Sequence, residues 1–478
     1  MSLSDAQIAE QNPWWTGVGW EERDPHLRRL KSQPRRLPAD LVAEIDLGRA
    51  GLHTLRGPRQ VGKSTDLKLL ARRALDEGFD RREVLYLTLE LLEGQGLAAV
   101  AETIKRARAM ARGSGRGLVL LDEVTFVDRW QTVIKSLWDD GTLERDVVVC
   151  TGSSAIDLRE GVAERLPGRR GAGQDHSIFP QSFAAFARAL STGVPESPGR
   201  TVEWIVSDAG WEAMEDMRIH LPQLREALDL YLRFGGLPAA VAEAIGGARE
   251  PSGDTKKIAY DSMLREIQRT RASRPAAHAL LERVLRSLGS KTSWARMSKE
   301  MSIDPRPSPG RSAVHDYVEF LASAYFLLIA YFWRSDSDSE ALSKDKKLYF
   351  GDPLLCSVAH DLAPGLAADV PALVENVVAL ALYHRYEAPS SRLEGFDAPS
   401  SLHVWQTRRA GEIDFVCGPR SAPGLVEVKY QATPDLRRVA AIPRAFPGRP
   451  VAVATKDSFE RRAGYALVPA PMLLWALG

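Results

Sequence analysis

Gly57 to Thr65 read GPRQVGKST, and this run constrains the chain more than any other, because it satisfies G-x-x-x-x-G-K-[ST] at every fixed position. The pattern has a physical reason. Glycines at 57 and 62 let the backbone turn tightly enough for several N–H groups to face one anion. Pro58, Arg59, Gln60, Val61 and Thr65 complete the loop, Lys63 adds a cation for the β- and γ-phosphates, and the Ser64 hydroxyl can ligate Mg²⁺. The flanks agree with the motif. Leu52–Leu55 (LHTL) suits a buried strand and Asp66–Ala74 (DLKLLARRA) has helical periodicity. Strand, loop and helix N-terminus together predict an α/β sheet with a polyphosphate held at the helix dipole.

A second element of the same site is expected downstream. Gly117–Val124 (GLVLLDEV) is an apolar strand ending in two acids. Asp122 can hold Mg²⁺ through water, and Glu123 can orient and deprotonate an attacking water. Val147–Ser154 (VVVCTGSS) is another apolar strand, where Thr151 or Ser153 can sense the γ-phosphate; both also fit ordinary turn chemistry.

The length of 478 residues exceeds one core and predicts three or four domains. With 44% hydrophobic and 26% charged residues the composition is that of a soluble globular protein. A net charge of +1 selects no partner, so any nucleic-acid surface has to be local. Cys150, Cys356 and Cys417 are scattered without metal-type spacing, which fits a reducing, cytoplasmic setting. The N-terminus carries no apolar signal core, and Phe320–Trp333, short for a bilayer, reads as a core helix followed by a strand, so no membrane partner is expected.

Residues 1–45 form a lead-in with Trp14, Trp15, Trp20 and a basic run from His26 to Arg36, read as a packed helix and loop rather than a nucleic-acid contact. Between 46 and 190, strands at Leu52–Arg56, Val84–Leu89, Leu118–Asp122, Val147–Gly152 and Ser177–Phe179 alternate with helices, as in a parallel sheet covered on both faces. A Pro/Gly/Ser stretch at 191–200 precedes a helical region to 275, in which Tyr231–Pro238 (YLRFGGLP) ends a helix sharply. A compact helical set spans 276–350, and mixed helices and strands follow from 351.

Near the C-terminus, GEIDFV (411–416) and LVEVKY (425–430) flank a Gly/Pro turn. Side chains alternate along a strand, so Glu427 and Lys429 share one face while Asp414 lies opposite Ile413 and Phe415. As antiparallel neighbours the two strands would bring Asp414, Glu427 and Lys429 together. Two carboxylates holding Mg²⁺ or Mn²⁺ beside a lysine suit phosphodiester hydrolysis, and a solvated face of acid–base pairs explains the same spacing.

The series GPRQVGKST, LVLLDEV and CTGSS resembles the AAA+ branch of P-loop ATPases. With DRWQTVIKSLWDDG (128–141), LPGR (166–169), FGGLP, LYFGDP (348–353), VEN (374–376), GEIDF and LVEVKY, the whole chain is similar to prokaryotic AAA+ ATPases with a C-terminal restriction-endonuclease-like domain. The resemblance implies an AAA+ parallel sheet at 46–190, a helical lid at 191–275, a winged-helix-like module at 276–350 and a PD-(D/E)xK nuclease-like α/β domain at 351–478. It also implies that Glu375 completes the metal set of Asp414 and Glu427, although Ile413 stands where that motif has proline. In the winged-helix module Ser293–Met301 and Ser312–Phe326 would be helices, with strands around Leu327–Trp333 and Leu348–Phe350. Lys291, Arg296, Lys299, Arg306, Arg311, Lys344, Lys346 and Lys347 would be exposed and free to meet phosphates.

The expectation is an ATPase using ATP and Mg²⁺ to remodel or move along DNA, branched or forked DNA included, with a C-terminal nuclease-like domain that binds or cleaves DNA in a metal-dependent way. AAA+ character implies a ring or partial ring of identical copies, such as a hexamer, with Arg169 or Arg170 reaching a neighbour's γ-phosphate. The alternative is a switch NTPase whose C-terminal domain is an inert recognition platform.

Overall fold

Strands that are apolar on both faces need a layer of helix on each side, and parallel pairing supplies it. A computed structural model describes residues 3–32, 43–111, 116–152, 171–301, 309–333, 345–393, 402–407, 411–419, 422–433, 435–437 and 439–478. It divides into two units, one formed by Met1–Ile178 and the other by Phe179–Ser390 with Asp397–Gly478.

In the first unit, β1 (Gly51–Arg56), β2 (Val84–Thr88), β3 (Leu118–Asp122), β4 (Val147–Gly152) and β5 (Asp175–Ser177) form a five-stranded sheet in the order β2-β3-β4-β1-β5. Every pairing is parallel. This is the expected α/β class. β5 begins two residues earlier than the sequence suggested, because Thr54 and Arg56 take Asp175 and Ser177 as register partners. Helices Lys63–Asp76 and Leu97–Ala111 bury Leu67, Leu70, Val100 and Ile104 in this unit's core.

The lead-in is part of the same core, as expected, and it closes the outer edge of β2. Trp14 and Trp15 each donate an indole N–H to Val84 O at 2.9 Å. Asn12 takes the Tyr86 amide at 2.6 Å and returns an N–H to Tyr86 O at 2.9 Å, while Gln11 Oε1 accepts the Thr88 amide at 2.9 Å. Side chains thus do for this edge what a further strand would do.

The second unit holds an eight-stranded mixed sheet in the order β12-β13-β11-β10-β9-β8-β6-β7. Its strands are β6 (Leu327–Phe332), β7 (Lys346–Phe350), β8 (Leu402–Thr407), β9 (Gly411–Cys417), β10 (Gly424–Lys429), β11 (Val451–Thr455), β12 (Glu460–Arg462) and β13 (Tyr465–Pro469). Helices occupy Trp294–Glu300 and Arg311–Ser323, and β6 and β7 pair antiparallel after them. These two strands do not stop at a module edge, however. Tyr331 and Phe332 pair with His403 and Val404, so hydrogen-bonded sheet runs across the boundary expected at 350.

The helices expected as a lid belong to this second unit as well. Asp352 accepts the Gly236 and Leu354 amides, each at 2.8 Å, which ties the FGGLP turn to the GDP turn. Gly235 there has φ +65°, and a Cβ on it would stand 1.9 Å from Asp352 Oδ1, so glycine is required twice over. Residues 195–200, read as an interruption, pack on the last helix: Trp475 Nε1 donates to Pro195 O at 3.0 Å and Arg200 N to Ala476 O at 2.8 Å.

Candidate functional sites

The phosphate loop leaves β1 and enters the helix Lys63–Asp76 as its motif requires. Gly62 has φ +108°, open to glycine almost alone, and a Cβ on Gly57 would lie 2.3 Å from Ile178 O. The Lys63 ammonium, 4% exposed, donates to Gly57 O at 2.9 Å and Pro58 O at 3.0 Å and stands 3.7 Å from Glu123 Oε1. Ser64 is the second residue of the helix, one position beyond Lys63. Arg59 lies over the Phe126 ring, 5.4 Å from its centroid.

The two acids end β3 in different backbone states. Asp122 is buried and receives hydroxyl hydrogen bonds on both oxygens, from Thr151 on Oδ1 and from Tyr86 on Oδ2 at 2.7 Å. Glu123 sits in the left-handed region at φ +52°, a conformation that costs a non-glycine residue about 1–3 kcal/mol and clusters at functional positions. Its amide donates to Thr151 Oγ1 at 2.9 Å. Lys63, Asp122, Glu123 and Thr151 therefore meet at the C-terminal ends of neighbouring strands. Ser153, Arg169 and Arg170 lie outside the described residues.

This donor set fits a nucleotide with Mg²⁺. The space where a Cβ of Gly62 would stand is open, and the oxygens of a buried aspartate together with a serine hydroxyl at the start of the following helix are chemistry suited to a hard cation. Sequence reasoning missed three supporting residues. Asp66, in the first helical turn, is pushed up to about 7 by burial, against the pull of Lys63. Tyr86 links Asp122 to Lys68, whose ammonium lies 3.4 Å from the Tyr86 ring centroid. Burial lowers Lys68 to about 8, and Asp24, at 3.8 Å, opposes the shift.

The C-terminal residues also converge. Phe415 pairs with Val426, so Asp414 and Glu427 sit side by side on adjacent antiparallel strands, and Glu427 Oε2 accepts the Asp414 amide at 3.1 Å. Lys429 donates to Glu427 Oε1. Glu375, on the helix Val370–Leu393, faces the same cluster. What the sequence did not disclose is Lys347. Its ammonium, 2% exposed, lies 2.8 Å from Asp414 Oδ1, 3.0 Å from Glu375 Oε1 and 2.9 Å from Glu412 Oε1. Tyr349, two residues along β7, donates to Glu375 Oε1 at 2.8 Å.

The expected exposure of Lys346 and Lys347 is therefore corrected. Lys346 is buried on the other face of β7, 3.7 Å from the Trp294 ring centroid and 5.3 Å from that of Tyr331. Arg306 and Lys344 lie outside the described residues.

Electrostatics in the cluster follow from these contacts. Burial opposes the Asp414 charge, but Lys347, Lys429 and the Val428 amide outweigh it and hold the carboxyl below its usual range. Burial and the neighbouring Asp414 charge push Glu375 up to about 7 and Glu427 up to about 8. The divalent ion expected here does not fit the side chains as they stand. An ammonium already takes one oxygen each from Asp414 and Glu375, and the second Asp414 oxygen accepts the Val428 amide at 2.9 Å. Among the described residues no group of three or more His, Cys, Asp or Glu is placed to hold a metal.

Residues 50–187 match the family model described as an AAA domain. An uncharacterized protein of Haemophilus influenzae is 23% identical over 57% of this chain and 60% of its own length. An uncharacterized protein of Methanocaldococcus jannaschii is 24% identical over 45% of each. The chain thus spans between 45% and 60% of the length of these curated relatives.

Among solved structures, the Aeropyrum pernix ORC1 protein in complex with DNA aligns at 14% identity and a TM-score of 0.30, over 71% of this chain and 92% of that one. AMPPCP-bound DnaA from Aquifex aeolicus aligns at 13% and 0.26, over 65% and 92%. Residues 50–187, the stretch that matches the AAA domain, contain the phosphate loop and all five strands of the parallel sheet. No described helix is long and apolar enough to cross a membrane.

Proposed function

We propose that the protein hydrolyses ATP to act on DNA, by remodelling it or by moving along it, with the C-terminal sheet engaging the DNA. The observation that carries the ATP half is the meeting of Lys63, Asp122, Glu123 and Thr151. In this mechanism Lys63 leaves the loop carbonyls for the β- and γ-phosphates. Asp122, oriented by Tyr86 and Thr151, would hold Mg²⁺ together with Ser64. Bound Mg²⁺ supplies charge neutralisation at the phosphates. Glu123 takes the proton of the attacking water, and its 3.7 Å separation from Lys63 lets the two groups exchange partners when nucleotide arrives.

The DNA half is supported by the likeness of GEIDF and LVEVKY to nuclease-type cores, and by Arg296, Lys299 and Arg311 on the helices that would approach a phosphate backbone. Copies are proposed to assemble in a ring or partial ring, with Arg169 or Arg170 acting across the interface. A second reading, a switch ATPase whose C-terminal unit only recognises a ligand, is favoured by the pairing of Lys347 with one oxygen each of Asp414 and Glu375. A panel of single-stranded, duplex, forked and four-way DNA, assayed for ATPase stimulation, separates the two. Stimulation by any member supports action on DNA; an ATPase rate indifferent to all four removes it.

A further inference from the structure

We propose that Lys347 is the resident cation of the C-terminal carboxylate cluster, so that this core engages its ligand without a divalent metal. Carboxylates crowded on a buried sheet face repel one another, and nuclease-type cores relieve the repulsion with a metal ion that also activates water. Here the relief comes from within the chain.

An ammonium has three hydrogens to donate. Lys347 meets three carboxylate oxygens, those of Asp414 at 2.8 Å, Glu412 at 2.9 Å and Glu375 at 3.0 Å. The arrangement is built rather than incidental. Glu412 and Asp414 share a face of β9 by alternation, Lys347 and Tyr349 share a face of β7, and Tyr349 fixes the Glu375 oxygen that Lys347 uses.

The remaining partners are also internal. The other Asp414 oxygen accepts the Val428 amide at 2.9 Å, and Glu427 is held by Lys429 and the Asp414 amide. A divalent ion entering among Asp414, Glu375 and Glu427 would have to expel an ammonium that is 2% exposed, or sit beside it. Either alternative places like charges together in a dry site, which is costly. The cluster therefore fixes β7, β9 and the helix Val370–Leu393 to one another, while Lys429, paired with Glu427 and with its side chain 25% exposed, is the cation at the rim that an anionic ligand such as a phosphodiester would draw away from Glu427.

The inference deepens the C-terminal half of the function proposed above, and it fails separately from it, since DNA stimulation of the ATPase and metal occupancy are different readouts. The test is Mn²⁺ titration of the full, nucleotide-free chain followed by electron paramagnetic resonance, with thermal melting in Mn²⁺ and in EDTA. The unaltered protein is expected to show no bound Mn²⁺ that Asp414→Asn removes, and the same melting temperature in both buffers. Lys347→Met is expected to gain about one Mn²⁺ per chain, lost again in Lys347→Met/Asp414→Asn, while Lys347→Arg gains none. An Asp414-dependent Mn²⁺ in the unaltered protein overturns the proposal, and so does a folded Lys347→Met that gains no ion. Should Lys347→Met fail to fold, the unaltered protein and Asp414→Asn decide the matter.

Discussion

The Thr151 hydroxyl holds Asp122 in place: it donates to Asp122 Oδ1 while accepting the amide of Glu123 at 2.9 Å. One side chain at the end of β4 thus fixes both acids at the end of β3. Thr151→Val keeps the shape and removes the hydroxyl. Turnover should fall roughly tenfold to a hundredfold with little change in KM for ATP, because the groups it orients act in the reaction more than in binding. Phosphate-release kinetics check this, and an unchanged kcat removes Thr151 from the site.

Lys63 and Glu123 should separate binding from chemistry. Lys63→Ala abolishes nucleotide binding or hydrolysis, whereas Glu123→Gln binds ATP and turns it over at least about a hundredfold more slowly. A fluorescent nucleotide titration beside a steady-state assay reads both. If Glu123→Gln hydrolyses ATP at the unaltered rate, another group is the base.

Asn12 should matter far more than its place in a lead-in suggests. Asn12→Ala strands the Tyr86 N–H and C=O inside the fold, at a cost of about 2–4 kcal/mol. Ser4→Ala, which removes an exposed helix cap, should cost about 1 kcal/mol or less. Urea midpoints of the two variants compare them directly, and equal midpoints contradict the edge-closing role.

Asp352 predicts a pH dependence. Burial pushes its carboxyl up to about 7, against hydrogen bonds from the Gly236, Leu354 and Leu237 amides. An unfolded aspartic acid titrates near 3.9. Between about pH 4 and 7 the folded chain therefore holds a proton that the unfolded chain has lost, so this contribution to stability falls as pH rises through 7. Asp352→Asn should be less stable at pH 5, having lost an acceptor, and should show a shallower loss between pH 5 and 8. Unfolding midpoints against pH give the slopes; identical slopes contradict the assignment.

Self-association should strengthen with a non-hydrolysable ATP analogue. An Arg169→Ala/Arg170→Ala double variant mixed with Lys63→Ala should recover ATPase activity that neither has alone, because an intact site draws on two copies. Sedimentation and the mixing assay read this, and a strictly monomeric chain with full activity excludes it.

The ATP site was legible because its chemistry is local. GPRQVGKST carries its own backbone geometry, and strands such as VLYLT and LVLLD announce burial on both faces by having no polar face. The cross-strand meeting of Asp414 and Glu427 was readable from alternation alone. Lys347 was not, since it stands 67 positions before Asp414 and belongs to KKLYF, where two adjacent lysines suggest solvent. Their burial depends on different partners on opposite faces, Trp294 for one and three carboxylates for the other, and no period in the sequence encodes that. The continuity of the sheet across residue 350 was hidden for the same reason: two residue pairs, Tyr331 with His403 and Phe332 with Val404, carry it. The Asn12 and Gln11 contacts to β2 left no trace either, because a polar residue in a helical lead-in looks the same whether it faces water or a strand.

The lead-in also closes one route by which copies of this chain could join. An exposed strand edge is adhesive, and sheet-to-sheet continuation is the easiest route for one chain to recruit another. With the polar groups of Val84, Tyr86 and Thr88 already engaged by residues 11–15, that route is shut along this flank. A neighbouring copy meeting this flank would face side chains rather than a free strand edge. Removing the first sixteen residues would then do more than destabilise the unit. It would also open the Val84–Thr88 edge to pairing by another chain.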